Sequence, residues 1–409
     1  MNEQELIPQL FKAEYRKIIS VLCKLFGIFH IEIAEDITND TFLLAAETWG
    51  LKGIPNNPTA WLYLVAKNKT KDYFKRHKTF SEKIAVDLNY HQDQNEQMDV
   101  DLSMENITDS QLQMIFAVCN PVIPTEAQIG LALRILCGFG IDEIAEAFLT
   151  NKETINKRLF RAKEKLRAEN VKIELPNIDK LHSRLETVLS TLYLLFNEGY
   201  HSSSQNTQIR KELCLEAMRL NYFLIENTTT NTPNVNALMA LMCFHSSRFD
   251  ARNNQAGEPI LYDDQDKNLW STELIEKGNY FLIESAKGQE ISKYHLEASI
   301  AYWHCTKIEN AGKWEHILQL YNQLLQIEYS PITALNRTYA LSKVFGKEKA
   351  IHEALKLDLN ENHFYHSLLG NLYVDLDNKK ASEHLATALN LAKSDADKST
   401  ILKYLNKIK

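Results

Sequence analysis

The chain has 409 residues, of which 44% are apolar and 24% are charged, with a formal net charge of −7 at pH 7. This composition is that of an ordinary soluble globular protein with about two to four domains. The start, MNEQELIPQL, has no basic segment before an apolar run, which excludes a signal peptide. The apolar run at Val21–Ile31 is interrupted and too short to cross a bilayer. The cysteines are scattered without a CxxC pair, which argues against a disulfide framework and predicts reduced thiols in the cytoplasm.

Charge is distributed unevenly along the chain. Residues 81–110 contain one lysine and eight acidic side chains, whereas residues 150–172 contain eight basic and three acidic ones. A polyanionic partner would therefore contact one local patch and not the whole surface.

Helical periodicity dominates, and alternating strand patterns are nearly absent, so the sequence predicts an all-α fold. Helices are expected from Leu6 to His77, with a break at Gly50–Pro58. The polar, acidic segment 81–110 lacks a sustained period and predicts a flexible linker. A second helical block runs from Gln111 to about Arg167, and residues 181–409 are predicted to be helical almost throughout.

Two N-terminal stretches carry patterns that bear on function. In residues 31–49, Glu35, Asp36 and Asp40 share a polar helix face. In residues 57–78, aromatic side chains alternate with lysines and arginines, a mixture that suits stacking of bases and pairing with phosphates in single-stranded DNA. Aromatic side chains on an amphipathic helix also suit a helix core, so these residues alone leave both interpretations open.

Residues 141–167 predict a helix-turn-helix. A short amphipathic helix precedes a tight turn at Leu149–Asn151, and Thr150 with Glu153 forms a capping-box pattern that begins the next helix. One face of that helix is apolar and should be buried: Ile155, Leu159, Ala162 and Leu166. The opposite face would enter a DNA major groove.

The outward face carries the side chains expected to contact DNA, because arginine and lysine pair with phosphates or with guanine edges. The predicted contacts are Lys152, Glu153, Asn156, Lys157, Arg158, Phe160 and Arg161. Four basic residues are better placed for the phosphate backbone: Arg158, Lys163, Lys165 and Arg167. A solvated basic face is the alternative, but the preceding helix, turn and cap favour DNA binding.

The C-terminal block contains a repeat whose units begin at Gly312, Gly346 and Asn378, with offsets of 34 and 32 residues. This spacing is typical of the tetratricopeptide helix–turn–helix unit, although a generic helical bundle is the alternative. In the last unit, small and aromatic residues are spaced so that two helices can nest: Leu369, Gly370, Tyr373, Ala381 and Ala388.

These motifs resemble a known family. AEDITNDTF and NPTAWLYLVAKNKTKDYFKR resemble region 2 of the extracytoplasmic-function sigma factors, and IAEAFLTNKETINKRLFRAKEKLR resembles region 4. Asn39 and Asp40 stand where that family commonly has glutamine and glutamate. LYLLFNEGY, ALMALMCFHSSRFDAR and LYDDQDKNLW resemble the subgroup with a tetratricopeptide-like extension. The resemblance implies region 2 at 1–80, an acidic linker at 81–110, region 4 at 111–172, and a helical extension at 181–409 with repeats from about residue 290.

The resemblance also implies partners and roles. Core RNA polymerase would be bound, through its clamp coiled coil, by Glu35, Asp36, Asn39 and Asp40, with Phe42 as a packing residue. The melted minus-10 strand would be read by the loop at 55–59 and the helix after it, through Asn56, Asn57, Trp61, Asn68, Lys69 and Arg76. Double-stranded minus-35 DNA would be read by the basic helix. The extension would contact a protein partner or the sigma domains, and regulate or support them.

Two other functions fit part of this pattern: a one-component helix-turn-helix regulator with a sensory solenoid, and an interaction scaffold whose basic helix is incidental. A polymerase-docking helix followed by an aromatic and basic helix favours the sigma factor over both. We predict no enzyme activity, cofactor or metal, because the sequence has no phosphate-binding loop, nucleophile elbow or regular metal-ligand spacing.

Overall fold

The computed structural model of the protein describes residues 3–76, 100–200, 207–252, 260, 262–306 and 312–408. These ranges contain nineteen α-helices and no strand, which confirms the predicted all-α fold. Most of the predicted linker at 81–110, namely residues 81–99, lies outside the described residues. The chain divides into two compact units, Met1–Ser204 with Leu215–Leu224, and Gln205–Cys214 with Ile225–Lys409.

Eight helices and part of a ninth belong to the first unit. They are α1 (Glu3–Phe26), α2 (Ile31–Lys52), α3 (Pro58–Arg76), α4 (Met104–Val118), α5 (Thr125–Leu131), α6 (Ile141–Ala147), α7 (Lys152–Ala168), α8 (Ile178–Tyr200) and residues 215–224 of α9 (Thr207–Glu226). The central helix is α1, which packs against α2 and α4. Tyr15, Ile18, Ile19 and Leu22 recur at helical spacing on its fully buried face.

Helix α4 begins inside the segment that the sequence predicts as linker. The hydroxyl of Ser103 accepts a hydrogen bond from the backbone N–H of Asn106 and caps the helix at Met104. Ile107 is buried one turn later, while Glu105 and Asp109 face solvent. The acidic composition of this stretch therefore belongs to the exposed face of an amphipathic helix.

Helix α5 continues as one π-helical turn, Ala132–Leu136, before the chain turns at Gly138. The backbone N–H of Cys137 bonds to the carbonyl of Ala132, and that of Phe139 to the carbonyl of Leu133. Gly138 has φ of 76°, a left-handed conformation that favours glycine. Arg134 lies within this turn, so the irregular backbone sets its direction.

The second unit is a succession of helices packed on their neighbours. They are α10 (Pro233–Ser246), α11 (Phe249–Arg252), α12 (Thr272–Ser285), α13 (Lys293–Cys305), α14 (Lys313–Ile327), α15 (Pro331–Phe345), α16 (Lys347–Leu355), α17 (His363–Tyr373), α18 (Asn378–Leu391) and α19 (Asp395–Ile408). Helix α10 is buried on nearly all sides and packs against α12 and α13 at the start of this unit.

The predicted repeats correspond to helix pairs. Gly312, Gly346 and Asn378 lie at the starts of α14, α16 and α18. A Cβ atom at Gly370 in α17 would come within 2.6 Å of Leu385 in α18, so these two helices approach as closely as the small-residue pattern predicts. The partners in that pattern are also buried: Leu369, Ala381 and Ala388. The tetratricopeptide assignment itself stays a prediction.

Candidate nucleic-acid interface

Helices α6 and α7 are the two helices predicted to form the DNA-binding motif. The predicted apolar face of α7 is buried: Ile155, Leu159, Ala162 and Leu166. It packs against α5 and α6. A Cβ atom at Gly130 in α5 would lie 3.0 Å from Leu159, which shows how closely these helices meet. The packing holds α7 by one side and leaves its other side open.

The connection between α6 and α7 is a tight turn with leucine in a left-handed conformation. Leu149 has φ of 49°. The backbone N–H of Thr150 bonds to the carbonyl of Ala145 at 2.9 Å, closing the end of α6. The predicted capping box at Thr150 is wrong, because the backbone N–H of Thr150 closes the end of α6 and the residue does not cap α7. The cap is Asn151, whose side-chain oxygen accepts a hydrogen bond from the N–H of Thr154 at 2.8 Å.

Six of the seven predicted DNA contacts on α7 are exposed: Lys152, Glu153, Asn156, Lys157, Phe160 and Arg161. The seventh, Arg158, is half-buried, and its guanidinium group lies 5.6 Å from the ring centre of Phe148. Lys152 forms an exposed ion pair with Asp142 at 2.6 Å. An exposed pair of this kind is weak and can exchange for a phosphate.

Beside this face lies an open groove of about 440 Å³ with a basic wall. Four cationic side chains line it: Lys157, Arg158, Arg161 and Lys165. The opposite wall is formed by Ile123, Pro124 and Ala127, with Glu126 as its acidic member. The sequence pattern of α7 could not predict this second wall, because it is formed by the first residues of α5 and the two residues before them. A groove of this charge suits a phosphate-bearing backbone.

Two residues predicted to contact phosphates lie elsewhere. Lys163 is buried, with its ammonium group 2.5 Å from Glu35, and Arg167 pairs with Glu32 and Glu164. The helical period places both on the side of α7 that faces α2. The prediction of phosphate contacts for Lys163 and Arg167 is therefore wrong in this conformation, because internal carboxylates occupy them.

Glu35 of α2 is the centre of a cluster of charges that also includes Lys163 of α7 and Arg134 of the π turn. Its second carboxylate oxygen is 3.3 Å from the Nε of Arg134, and the Arg134 guanidinium also donates to the carbonyl of Phe139 at 3.1 Å. The side chains of Glu35, Lys163 and Arg134 are 12%, 11% and 18% exposed. Glu35 was expected on an open polar face, and the structure places it in a nearly enclosed ion-pair network instead.

The other predicted polymerase-binding residues, Asp36, Asn39 and Asp40, are exposed on α2. Partial burial, followed by the charges of Glu35 and Asp40, raises the pKa of Asp36. Asp40 lies 3.3 Å from the ammonium group of Lys69 on α3. Phe42 is buried, which confirms its predicted packing role.

The residues predicted to read the minus-10 element differ in accessibility. Asn56, Asn57, Asn68 and Arg76 are exposed. Trp61 is half-buried, with its ring 5.4 Å from that of Trp49 in an edge-to-face arrangement, and Lys69 is half-buried beside Asp40. The side chain of Asn57 also accepts a hydrogen bond from the N–H of Ala60 at 3.0 Å, so it supports the start of α3.

Most of the aromatic side chains on α3 serve the helix core. Tyr63 donates a hydrogen bond to Glu14 at 2.7 Å, and burial together with this bond raises the pKa of Tyr63. Tyr73 and Phe74 pack on Phe26, with ring centres 5.6 and 5.3 Å away. Between the two interpretations that the sequence left open, these contacts favour core packing for the three rings.

The start of the C-terminal extension is built into the first unit. On α8, Thr191 donates a hydrogen bond to the side chain of Gln128 at 2.6 Å. On α9, Glu216 forms an ion pair with Arg16 of α1 at 2.7 Å, and Arg219 donates to the carbonyl of Leu136 at 2.6 Å. Residues of α9 therefore contact both the helix α1 and the π turn.

Within the described ranges no group of three or more His, Cys, Asp or Glu side chains is arranged to hold a metal ion. Among the same residues no helix is long and apolar enough to span a membrane. All six cysteines lie in the described ranges, where they are buried and form no disulfide.

Comparisons with known proteins give matches along most of the chain. Residues 10–80 match sigma-70 region 2, and residues 184–286 match a family of unknown function (DUF6596). An uncharacterized protein of Rhizobium meliloti (strain 1021) is 31% identical over 354 residues, which cover 85% of this chain and 83% of that protein. No solved structure matches.

Proposed function

The chain belongs to the same family as the uncharacterized Rhizobium meliloti protein, and from its match to sigma-70 region 2 we propose that it is a transcription initiation factor of the extracytoplasmic-function sigma type. A sigma-70 region 2 supports a role of the sigma-factor kind in transcription initiation. The finer proposal is that the chain binds core RNA polymerase and directs it to particular promoters. It would act in the cytoplasm, where polymerase works, and without an enzymatic step of its own.

Polymerase binding is assigned to the exposed part of the acidic face of α2. Asp36, Asn39 and Asp40 lie at spacings that put them along one side of the helix. Carboxylates on a rigid helix are suited to a basic partner, and rim charges of this kind chiefly raise the association rate. Glu35 would join them only after its internal partners have been released.

Promoter reading is assigned to α3 for the minus-10 strand and to α7 for the minus-35 duplex. The exposed Asn56, Asn68 and Arg76 are the accessible candidates at α3. On α7, Lys157 and Arg161 line the basic groove and are the candidates for contact with bases or adjacent phosphates. The helical extension would regulate or stabilise these domains.

One observation carries the proposal: a sigma-70 region 2 and an exposed basic helix that follows a tight turn occur in one chain. A regulator that acts without polymerase has no use for the first of these. The experiment is binding of the full chain to purified core polymerase, with Asp36→Lys and Asp40→Lys together as the test variant. Glu47→Lys, a single charge reversal at an exposed position further along the same helix, is the control.

The proposal expects the control to bind as the wild type does, and the double variant to lose most of its binding. Equal binding by all three proteins would reject the assignment to α2. The charge reversal avoids Glu35, because a lysine there would face Lys163 and Arg134 and disrupt the fold.

A second candidate is a one-component DNA-binding regulator. The observation in its favour is that Glu35, one of the four expected docking residues, is already paired inside the chain. DNA binding without any binding to core polymerase would support this candidate.

A further inference from the structure

Four side chains of the second unit surround Tyr262, away from the surfaces assigned above. The guanidinium carbon of Arg248 lies 5.0 Å from the ring centre of Tyr262. The rings of Trp270 and His304 lie 6.3 and 5.1 Å from the same centre. The hydroxyl of Tyr262 donates to the backbone carbonyl of His304 at 2.8 Å and accepts a hydrogen bond from the ammonium group of Lys313 at 3.1 Å. Tyr262 is therefore held in place, and the four side chains are fixed around it.

Four buried polar atoms around this ring have no hydrogen-bond partner among the described residues. They are Nε of Arg248, Oε1 of Gln265, Nε1 of Trp270 and Nδ1 of His304. The backbone N–H of Gln265 bonds to the carbonyl of Tyr262 at 3.3 Å, which places Gln265 beside the other three. Trp270 and Gln265 are only 3% and 8% exposed. Buried polar groups are rarely left unpaired, so four of them in one place indicate a missing hydrogen-bonding partner.

The cluster is positively charged. The guanidinium group of Arg248 also lies 5.7 Å from the ring centre of Trp270, and it forms no ion pair within the part of the chain that the structure describes. Lys313 is 6% exposed, with its ammonium group 5.6 Å from the ring centre of Tyr262. Burial, followed by the charges of Arg248 and Lys313, lowers the pKa of His304, so its imidazole is neutral at pH 7.

These groups define the chemistry of a partner. A planar guanidinium group matches two oxygens of a carboxylate or phosphate, and the indole N–H of Trp270 can only donate. Both therefore require an acceptor, and the cationic side chains favour a negatively charged one. The Oε1 atom of Gln265 requires a donor, such as a hydroxyl group. An oxyanion that also carries a hydroxyl satisfies all of these groups.

We propose that the cluster of Arg248, Gln265, Trp270, His304 and Lys313 around Tyr262 is a binding site for a small oxyanion with a hydroxyl group, either a phosphate or a hydroxy acid. Arg248 and Trp270 donate to the anionic oxygens, Lys313 supplies a second positive charge, and Gln265 accepts from the hydroxyl. This site gives the helical extension a ligand of its own. The inference goes beyond the proposed function and does not rest on it.

The first test follows His304 by NMR in the full chain labelled with ¹⁵N at its thirteen histidines. The signal of His304 is the one that disappears in His304→Gln. Inorganic phosphate and glycolate are added separately at constant pH up to about 50 mM, since ligands of a few atoms bind weakly. Chloride at the same ionic strength is the control. A saturable change with phosphate alone identifies a phosphate site, and one with glycolate alone identifies a hydroxy-acid site.

The second test assigns the binding to Arg248. Arg248→Gln should raise the dissociation constant of the anion that binds by about tenfold or more, because it removes charged hydrogen bonds. Lys287→Gln makes the same change of net charge at an exposed position of the same unit, and it should leave the constant unchanged. Arg248→Lys keeps the charge but removes the planar fork, and we expect an intermediate weakening.

Two results would overturn the site. The first is a His304 signal that responds to phosphate and glycolate no more than to chloride, which would make the cluster a packing core. The second is saturable binding that both Arg248 variants leave as strong as in the wild type. If Arg248→Gln fails to fold, Arg248→Lys and the wild-type titration still decide. Neither DNA nor polymerase is present, so every outcome is separate from the test of the sigma function.

Discussion

The ammonium group of Lys163 donates a hydrogen bond to the carboxylate of Glu35 at 2.5 Å, across 128 positions of the chain. Both side chains are about nine-tenths shielded from solvent, at 11% and 12% exposure. A pair in this environment gains little net stability over an apolar pair, yet the loss of either partner leaves a shielded charge without compensation. This contact therefore controls both the stability of the first unit and the access of other molecules to Glu35.

Replacement of Glu35 by glutamine should lower the free energy of unfolding of the first unit by about 3 kcal/mol, since Lys163 would keep its charge in a shielded site. Hydrogen exchange of the amides in α2 and α7 measures this change without interference from the second unit. The double variant Glu35→Gln, Lys163→Met is the control, and it should be less destabilised than the two single effects added together. Unchanged exchange in Glu35→Gln would show that the pair contributes nothing.

Replacement of Leu149 by glycine should stabilise the turn between α6 and α7. The leucine has φ of 49°, and a residue with a Cβ atom in that conformation costs about 1 kcal/mol relative to glycine. Its side chain is 64% exposed, so little burial is lost. Leu149→Ala is the matched control, because it shortens the side chain but keeps the strain. We expect a higher unfolding temperature for Leu149→Gly than for the wild type, and no rise for Leu149→Ala. Equal unfolding temperatures for the two variants would refute the backbone strain at this position.

Lys157→Ala with Arg161→Ala should weaken binding to promoter DNA by about 1–3 kcal/mol for each lost base contact, and should reduce the salt dependence of binding. Both side chains are exposed and line the basic groove. Fluorescence anisotropy of a labelled promoter duplex at several salt concentrations, with polymerase present, gives both quantities. Lys180→Ala provides the charge control away from the groove. A double variant with wild-type affinity and salt slope would remove α7 from the DNA interface.

The stability of the second unit should fall on acidification through His304. Burial, followed by the charges of Arg248 and Lys313, lowers the pKa of His304 to about 3. Its Nδ1 atom is buried without a hydrogen-bond partner among the described residues. Below pH ~6.5 the unfolded chain binds a proton that the folded chain excludes, so stability present at neutral pH is lost as the pH falls toward 3.

His304→Gln, which cannot titrate, tests this origin. The slope of stability against pH between pH 6 and pH 4 should be steeper in the wild type by at most ~1.4 kcal/mol per pH unit. Urea unfolding followed by hydrogen exchange in α13 gives the two slopes. Identical slopes would mean that other groups cause the acid sensitivity.

Features that depend on neighbours in sequence could be predicted. The buried face of α7 follows from apolar residues at helical spacing, from Ile155 to Leu166, and its exposed face follows with it. The nesting of α17 and α18 was visible in Gly370 and its small partners. The cap of α7 was misplaced by one residue, because Thr150 and Asn151 are both good caps and only the closure of α6 decides between them.

Features that depend on distant partners could not be predicted. Glu35 and Asp36 are adjacent acidic residues on one helix, but only Glu35 meets Lys163 and Arg134. Nothing in the local pattern distinguishes them, since the difference comes from helices about 100 residues further along the chain. The same reason explains why Lys163 and Arg167 looked like phosphate contacts, and why the second wall of the basic groove was missed.

Runoff transcription with purified core polymerase tests whether this chain acts as a sigma factor. The template is DNA from upstream of the gene for this protein, and the full chain is added to core polymerase alone. We expect a discrete transcript that requires both proteins. It should be lost with the Asp36→Lys, Asp40→Lys variant but kept with Glu47→Lys. If the chain binds the template but neither binds core polymerase nor yields a transcript, the sigma function is contradicted and the one-component regulator is favoured.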